Sequence, residues 1–136
     1  MCLIYSNFSF ASYIDYLYPY RAPSFSNYGT LGLIQNPNAR FSKNGTLAFS
    51  WSHNDPYLRG SIIAYPFDWF EASFQYTDIN NVLYSPFKSF SGSQSLKDKS
   101  FDVKIRLLKE TSILPQTAVG IRDLGGTGLF ASEYLV

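Results

Sequence analysis

The chain has 136 residues, of which 46% are apolar, 18% aromatic and only 15% charged, and its formal net charge is +1. So even a charge balance gives no footprint for nucleic acid, and no apolar run reaches the roughly 18 residues of a transmembrane helix. A single cysteine and a single histidine exclude a disulfide framework, a CxxC metal pair, a histidine-based triad and a multi-histidine metal site.

Residues 1–28 read as an irregular N-terminal segment with Pro19, Pro23 and many Ser and Asn, and with a short strand or helix near Ile14 to Tyr18. No Lys or Arg precedes Arg21 and no small-residue cleavage site follows, so no export signal is visible. Cys2 sits where a lipid anchor would suggest itself, yet no apolar run precedes it.

Residues 29–136 read as a chain of strands. Gly29 to Gln35 is a short apolar piece broken by Asn36-Pro37-Asn38, and Lys43-Asn44-Gly45 is a turn, because Asn-Gly accepts positive φ cheaply. The Asn44-Gly45-Thr46 triplet fits a glycosylation sequon but reads as part of that turn. Thr46 to His53 alternates, with Leu47, Phe49 and Trp51 on one face. Arg59 to Tyr65 is apolar on both faces around Ile62 and Ile63, and Pro66 to Asp68 is a tight connection.

Trp69 to Asp78 has the cleanest period of two. Phe70, Ala72, Phe74 and Tyr76 face one way; Glu71, Ser73, Gln75 and Thr77 face the other. A long polar loop is expected over Ile79 to Asp98. Lys99 to Leu108 then alternates again, with Phe101, Val103, Ile105 and Leu107 opposite Asp102, Lys104 and Arg106. A short turn over Lys109 to Leu114, a strand over Gln116 to Arg122, a glycine-rich turn over Asp123 to Gly128 and a strand over Leu129 to Val136 complete the chain. The fold class expected is all-β, an antiparallel meander of about six strands.

Alternation alone fits two architectures. In a soluble sandwich the charged faces lie outside; in a membrane barrel they line a wet lumen. The barrel is favoured by the 11 Tyr and 12 Phe, more rings than one small core readily holds. Aromatics also collect at strand ends (Trp51, Tyr57, Tyr65, Trp69, Tyr76, Tyr84 and Tyr134), as in an interfacial girdle, and a short turn over Pro66 to Asp68 alternates with the long loop over Ile79 to Asp98. Strands of about nine or ten residues suit a tilted crossing, while six strands fall short of the roughly eight that close the smallest barrel. The expectation is therefore part of an outer-membrane β-barrel, the chain being one piece of a longer protein.

Several blocks resemble the YjbH-like proteins of exopolysaccharide biosynthesis. They are Tyr28-Gly29-Thr30-Leu31-Gly32-Leu33-Ile34-Gln35-Asn36-Pro37-Asn38-Ala39-Arg40, Pro66 to Ala72 with Tyr76 to Ile79, Lys97 to Lys104, Leu114 to Asp123, and Gly125 to Val136. The resemblance implies an outer-membrane barrel protein tied to production or export of a polysaccharide, far longer than this chain and opened by a signal often of lipoprotein type. It implies no catalytic residue.

Candidate chemistry is sparse. His53 beside Asn54 and Asp55 reads as an exposed turn residue. Glu71 and Asp102 suggest a glycosidase-like pair, against the plainer reading that both line a wet interior balanced by Lys104 and Arg106. Gly125-Gly126-Thr127-Gly128 lacks the lysine of a phosphate loop and reads as a hairpin turn. Aromatics within residues 5–28 read as packing or interface anchors rather than a sugar platform. The expected function is a non-enzymatic outer-membrane component that assists exopolysaccharide secretion, without cofactor or metal. Glu71, Asp102, Lys104, Arg106 and Arg122 form a lumen-facing polar track past which sugar slides. Outer-membrane lipid, polysaccharide and other secretion proteins are its expected partners, with no nucleic acid. The alternative is a soluble periplasmic carbohydrate-binding β-sandwich.

Overall fold

The computed structural model describes residues 24–136. The expectations for Cys2, for Ile14 to Tyr18 and for most aromatics of residues 5–28 fall outside that range. Two short strands, β1 (Gly32–Leu33) and β2 (Asn36–Pro37), pair as a small hairpin. Then β3 (Thr46–Asn54), β4 (Tyr57–Phe67), β5 (Phe70–Leu83), β6 (Ser95–Leu108), β7 (Thr117–Arg122) and β8 (Ser132–Leu135) form one antiparallel sheet in chain order. The all-β meander is as expected. The sheet is open, with β3 and β8 at its edges. A single helical turn, α1 (Lys88–Ser91), interrupts the β5–β6 loop.

Register turns the sequence alternation into two surfaces. Leu47, Ala64, Ala72, Val103 and Ile121 lie side by side across β3 to β7, and Phe49, Ile62, Phe74 and Phe101 form the next row. These rows face outward: Leu47 is 72% exposed, Phe49 67% and Phe101 54%. The opposite face carries Arg59, Ser61, Glu71, Ser73, Gln75, Thr77, Asp98, Ser100, Asp102 and Lys104, all buried. A soluble protein distributes these classes the other way round.

Residues 24–42 cover the polar face. Leu31 packs with Ile63 and Tyr65, and Phe25, Phe41 and Ala48 join this small apolar cluster. Among the described residues, no second sheet of comparable size lies over that face.

Several boundaries move. Ile79 to Asp98 is not one loop, because β5 continues to Leu83 and β6 starts at Ser95. Ile79 pairs with Leu96, and Lys97 binds Asp78 of the expected strand at 2.6 Å, so residues assigned to the loop are cross-strand partners. Asn36-Pro37 is a strand rather than a break, closed by Ile34 at φ 54°. The expected alternation of loop lengths is not clean. Asp55-Pro56 is as tight as Asp68-Trp69, and each end of the sheet also carries a longer connection, 84–94 and 123–131 at one and 109–116 at the other.

The aromatic girdle also divides. Trp51, Trp69, Tyr76 and Tyr84 are exposed, but Tyr65 is fully buried and Tyr57 and Tyr134 are partly buried on the polar face. Tyr134 lies directly over Gly120, its cross-strand partner, where any Cβ would collide with the ring. Gly120→Ala in the full-length protein is expected to cost about 1–3 kcal/mol, as overpacking does. Combining it with Tyr134→Ala should remove that clash, so the double variant should lose less than the sum of the singles in urea unfolding.

Candidate functional site

The period of two on β5 and β6 places Glu71 directly opposite Lys104, and Ser73 opposite Asp102. On β7, Gly120 faces Lys104, Ala118 faces Arg106, and Arg122 follows two residues after Gly120, on the same face. All five residues of the expected track therefore lie on one face, but residues 24–42 and the 123–131 loop cover much of it.

Lys104 Nζ is 2.9 Å from Glu71 Oε2, and both side chains are essentially inaccessible. This approach is a charge contact off hydrogen-bond alignment; the ammonium donates instead to the backbone oxygens of Asn38, at 3.3 Å, and Arg40, at 3.0 Å. The Tyr65 hydroxyl sits beside the Glu71 carboxylate. Asp102 accepts the backbone N–H of Asp123 at 2.8 Å, which turns the chain into the 123–131 loop. Glu71 and Asp102 are thus each committed to structural partners, unlike an exposed carboxylate pair flanking a substrate.

Other wall side chains also grip the backbone of the covering segment. Gln75 Nε2 donates to Asn27 O at 3.2 Å, Ser52 Oγ to the same oxygen at 3.4 Å, and Arg122 Nη2 to Gln35 O at 3.0 Å. Gln116 Nε2 donates to Ala39 O. At the rim, Arg40 and Glu110 form a two-pronged ion pair. Gly29 fits against the wall because it lacks a Cβ, which would stand 2.5 Å from Ser61 Cβ, and its φ is +78°.

Sequence reasoning missed Arg59, Gln75, Gln116 and Tyr28. Arg59 is buried on β4, and its guanidinium lies over the rings of Tyr57, Tyr28 and Phe130 at 4.3, 4.7 and 5.3 Å. Arg122 lies 4.1 Å from the Tyr28 ring, so one tyrosine contacts two guanidinium groups. The alternation marks Gln75 as inward-facing. The strand that Arg59 opens looks apolar on both faces in sequence, whereas the structure buries Arg59, Ser61, Ile63 and Tyr65 and exposes Ile62. Nothing local in the sequence announces Tyr28 beside the two arginines. Beyond Arg59 the face ends in an apolar cleft of about 430 Å³ between Tyr57, Ile79, Leu96, Leu129 and Phe130.

The remaining candidates are peripheral. His53 is exposed and pairs with Asp55 at 3.1 Å, as expected of a turn histidine. The 123–131 loop leads into a strand, not a helix, and Thr127 Oγ1 donates to Asp98 Oδ1 at 2.5 Å. Gly45 has φ 78°, the conformation its turn requires. Among the described residues, no three His, Cys, Asp or Glu side chains gather to hold a metal, and no helix is long and apolar enough to cross a membrane.

Arg106, at the turn end of β6, lies 3.0 Å from Asp68 Oδ2 and also donates to the Asp68 backbone oxygen, while Lys109 Nζ lies 3.3 Å away. Hydrogen bonds from Arg106 and Lys109 hold the Asp68 carboxyl below its ordinary value. A depressed folded-state pKa stabilises above the unfolded value of about 4 and is lost as pH falls through the folded one. Lowering pH from 7 to 3 should therefore loosen the Asp68-Trp69 turn in the native protein but hardly affect Asp68→Asn. Trp69 fluorescence reports the difference, and identical pH responses would refute it.

Removing one member of the buried pair strands the other. Lys104→Met is expected to cost about 3–5 kcal/mol, whereas Lys104→Met with Glu71→Leu should recover most of that loss. Denaturant unfolding of the native protein, the two single variants Lys104→Met and Glu71→Leu and the double variant measures this, and additive losses would contradict it.

Two comparisons with known proteins bear on this arrangement. Residues 24–136 match the family described as "Exopolysaccharide biosynthesis protein YbjH". A relative from Escherichia coli (strain K12), named "Uncharacterized lipoprotein YjbH", is 48% identical over 114 residues, which is 84% of this chain and 16% of the relative. The chain thus spans about a sixth of that relative's length. No solved structure matches.

Proposed function

The chain belongs to the YjbH family of exopolysaccharide biosynthesis proteins, and from that premise we propose that it forms part of an outer-membrane β-barrel that assists polysaccharide secretion without catalysing a reaction. The observation that carries this reading is the inversion of the sheet, with Leu47, Phe49, Ile62 and Phe101 exposed and Glu71, Gln75, Asp102 and Lys104 buried. Exposed apolar rows of this breadth are unfavourable in water and suited to acyl chains. Strands β3 to β6, of 9 to 14 residues, then cross the bilayer, and further strands of the longer protein pair with the free edges of β3 and β8 to close the barrel. The word lipoprotein in the relative's name supports an envelope location for that protein and, by kinship, for this one.

A non-enzymatic role accords with the use of Glu71 and Asp102 as internal structural partners. Outer-membrane lipid is the partner of the apolar rows. Polysaccharide and other secretion proteins are the partners of the whole protein.

The test is an arginine on the apolar face. Phe49→Arg and Phe74→Arg in the full-length protein should each lose about 2–4 kcal/mol in vesicle-supported unfolding, as a charge does on the lipid side of a barrel. Outer-membrane levels and secreted polysaccharide should fall together. In a soluble sandwich with this face in water, the same changes would stay within about 0.5 kcal/mol. Neutral arginine variants recovered in the soluble periplasmic fraction would sink the barrel reading.

A further inference from the structure

We propose that residues 24–42 are an internal plug, folded onto the polar wall of the barrel so that the lumen is closed at rest and opens when this segment leaves. The inference rests on the barrel reading above and extends it from architecture to gating.

The segment is held unlike an ordinary strand connection. Its fastenings to the wall run from side chains to backbone oxygens. Gln75 and Ser52 reach Asn27, Arg122 reaches Gln35, Lys104 reaches Asn38 and Arg40, and Gln116 reaches Ala39. These donors come from β3, β5, β6, β7 and the turn before β7, so the segment spans the wall from one edge strand almost to the other. Its own structure is local: Ser26, Asn27 and Asn38 donate backbone N–H groups to Thr30, Ile34 and Leu31 within the segment. No ladder joins β1 or β2 to the six-stranded sheet. An element that carries its own hydrogen bonds and docks through side chains can leave without tearing the sheet.

The contact is also modest in apolar area. Leu31 is its only fully buried large apolar side chain, while Leu33 and Ile34 are 67% and 77% exposed. Such a dock sits at the low-stability end of the structure, where gating elements are found. Larger barrels do carry plugs of this kind. Lys104, Arg122, Gln75 and Gln116 are also the donors that a hydroxyl-rich chain would need on this wall, so passage along the wall and the docked segment exclude one another.

The experiment uses the full-length protein in planar bilayers, with hydrogen exchange of residues 24–42 measured in parallel and heat-modifiable gel mobility as the check on the barrel. Two variants attack opposite sides of the contact. One removes wall donors (Gln75→Ala, Gln116→Ala and Arg122→Ala together); the other, Gly29→Val, pushes the segment away and leaves the wall intact. The native protein should be closed. Each variant should show stepwise conductance, and exchange in residues 24–42 should rise by about tenfold or more, the order expected for loss of side-chain hydrogen bonds. Faster exchange with no conductance would overturn the plug, as would an open native protein or unchanged exchange in both folded variants. If the donor variant fails to fold, Gly29→Val decides alone. Absence of a heat-modifiable band in the native protein would instead count against the barrel itself, and so is distinguishable from failure of the plug.

Discussion

A polar surface taken away from water must be satisfied from within the chain, and this requirement organises the molecule. Glu71 and Lys104 are both essentially inaccessible. Ionic burial costs several kcal/mol per group even after relaxation, and mutual attraction offsets it only with further partners. Lys104 finds two carbonyls on residues 38 and 40, while Glu71 has the ammonium at 2.9 Å and the Tyr65 hydroxyl nearby, neither aligned as a hydrogen bond. The pair therefore couples the centre of the sheet to the segment above it. Without residues 24–42, the ammonium loses both acceptors and the wall faces water.

The outer face obeys the same rule in reverse. Period-two strands must place their second set of side chains opposite the first. Once Glu71, Ser73, Gln75 and Thr77 face inward on β5, Phe70, Ala72, Phe74 and Tyr76 have nowhere else to go. Cross-strand pairs reinforce that face, with Phe74 and Phe101 rings 5.0 Å apart and Trp51 covering Gly60. The sheet needs no apolar layer against it because its apolar rows are its exterior.

How much of this was legible depended on whether the signal was local. The β5–β6 hairpin was readable because eight consecutive residues alternate without error, and the shared face of Glu71, Asp102, Lys104, Arg106 and Arg122 followed from register. The outer halves of those strands were not: Asn80, Asn81, Ser95 and Lys97 have the composition of a loop, and only pairings such as Ile79 with Leu96 and Asp78 with Lys97 reveal the strands. Nor did Tyr65 and Tyr134 behave as girdle residues, since each faces inward and fills space that a strand-end position does not reveal. Residues 24–42 were the hardest to place. Their contacts join positions as far apart as Gln35 and Arg122, and they use backbone oxygens that every residue possesses, so no side-chain pattern encodes the dock.

The placement of charge along β5 ties the sheet's dimensions to its proposed setting. Asp68 at the turn is bound by Arg106 and Lys109, and Asp78 near the other end is bound by Lys97. On β5 the outward positions between these two ion pairs are Phe70, Ala72, Phe74 and Tyr76, all uncharged, and on β6 the exposed Lys99 stands beside Tyr76 at the margin of that band. Residues 68 and 78 are ten apart in sequence, about 34 Å of extended antiparallel chain at roughly 3.4 Å per residue. A barrel strand tilted by about 40° shortens that to about 26 Å along the membrane normal, against an apolar band of about 25 Å. The strands continue past Asp78 to Leu83 and resume at Ser95, so the sheet outlasts its uncharged band on the long-loop side. On the proposed barrel reading, the spacing of these two ion pairs is the one that the apolar thickness of a bilayer requires.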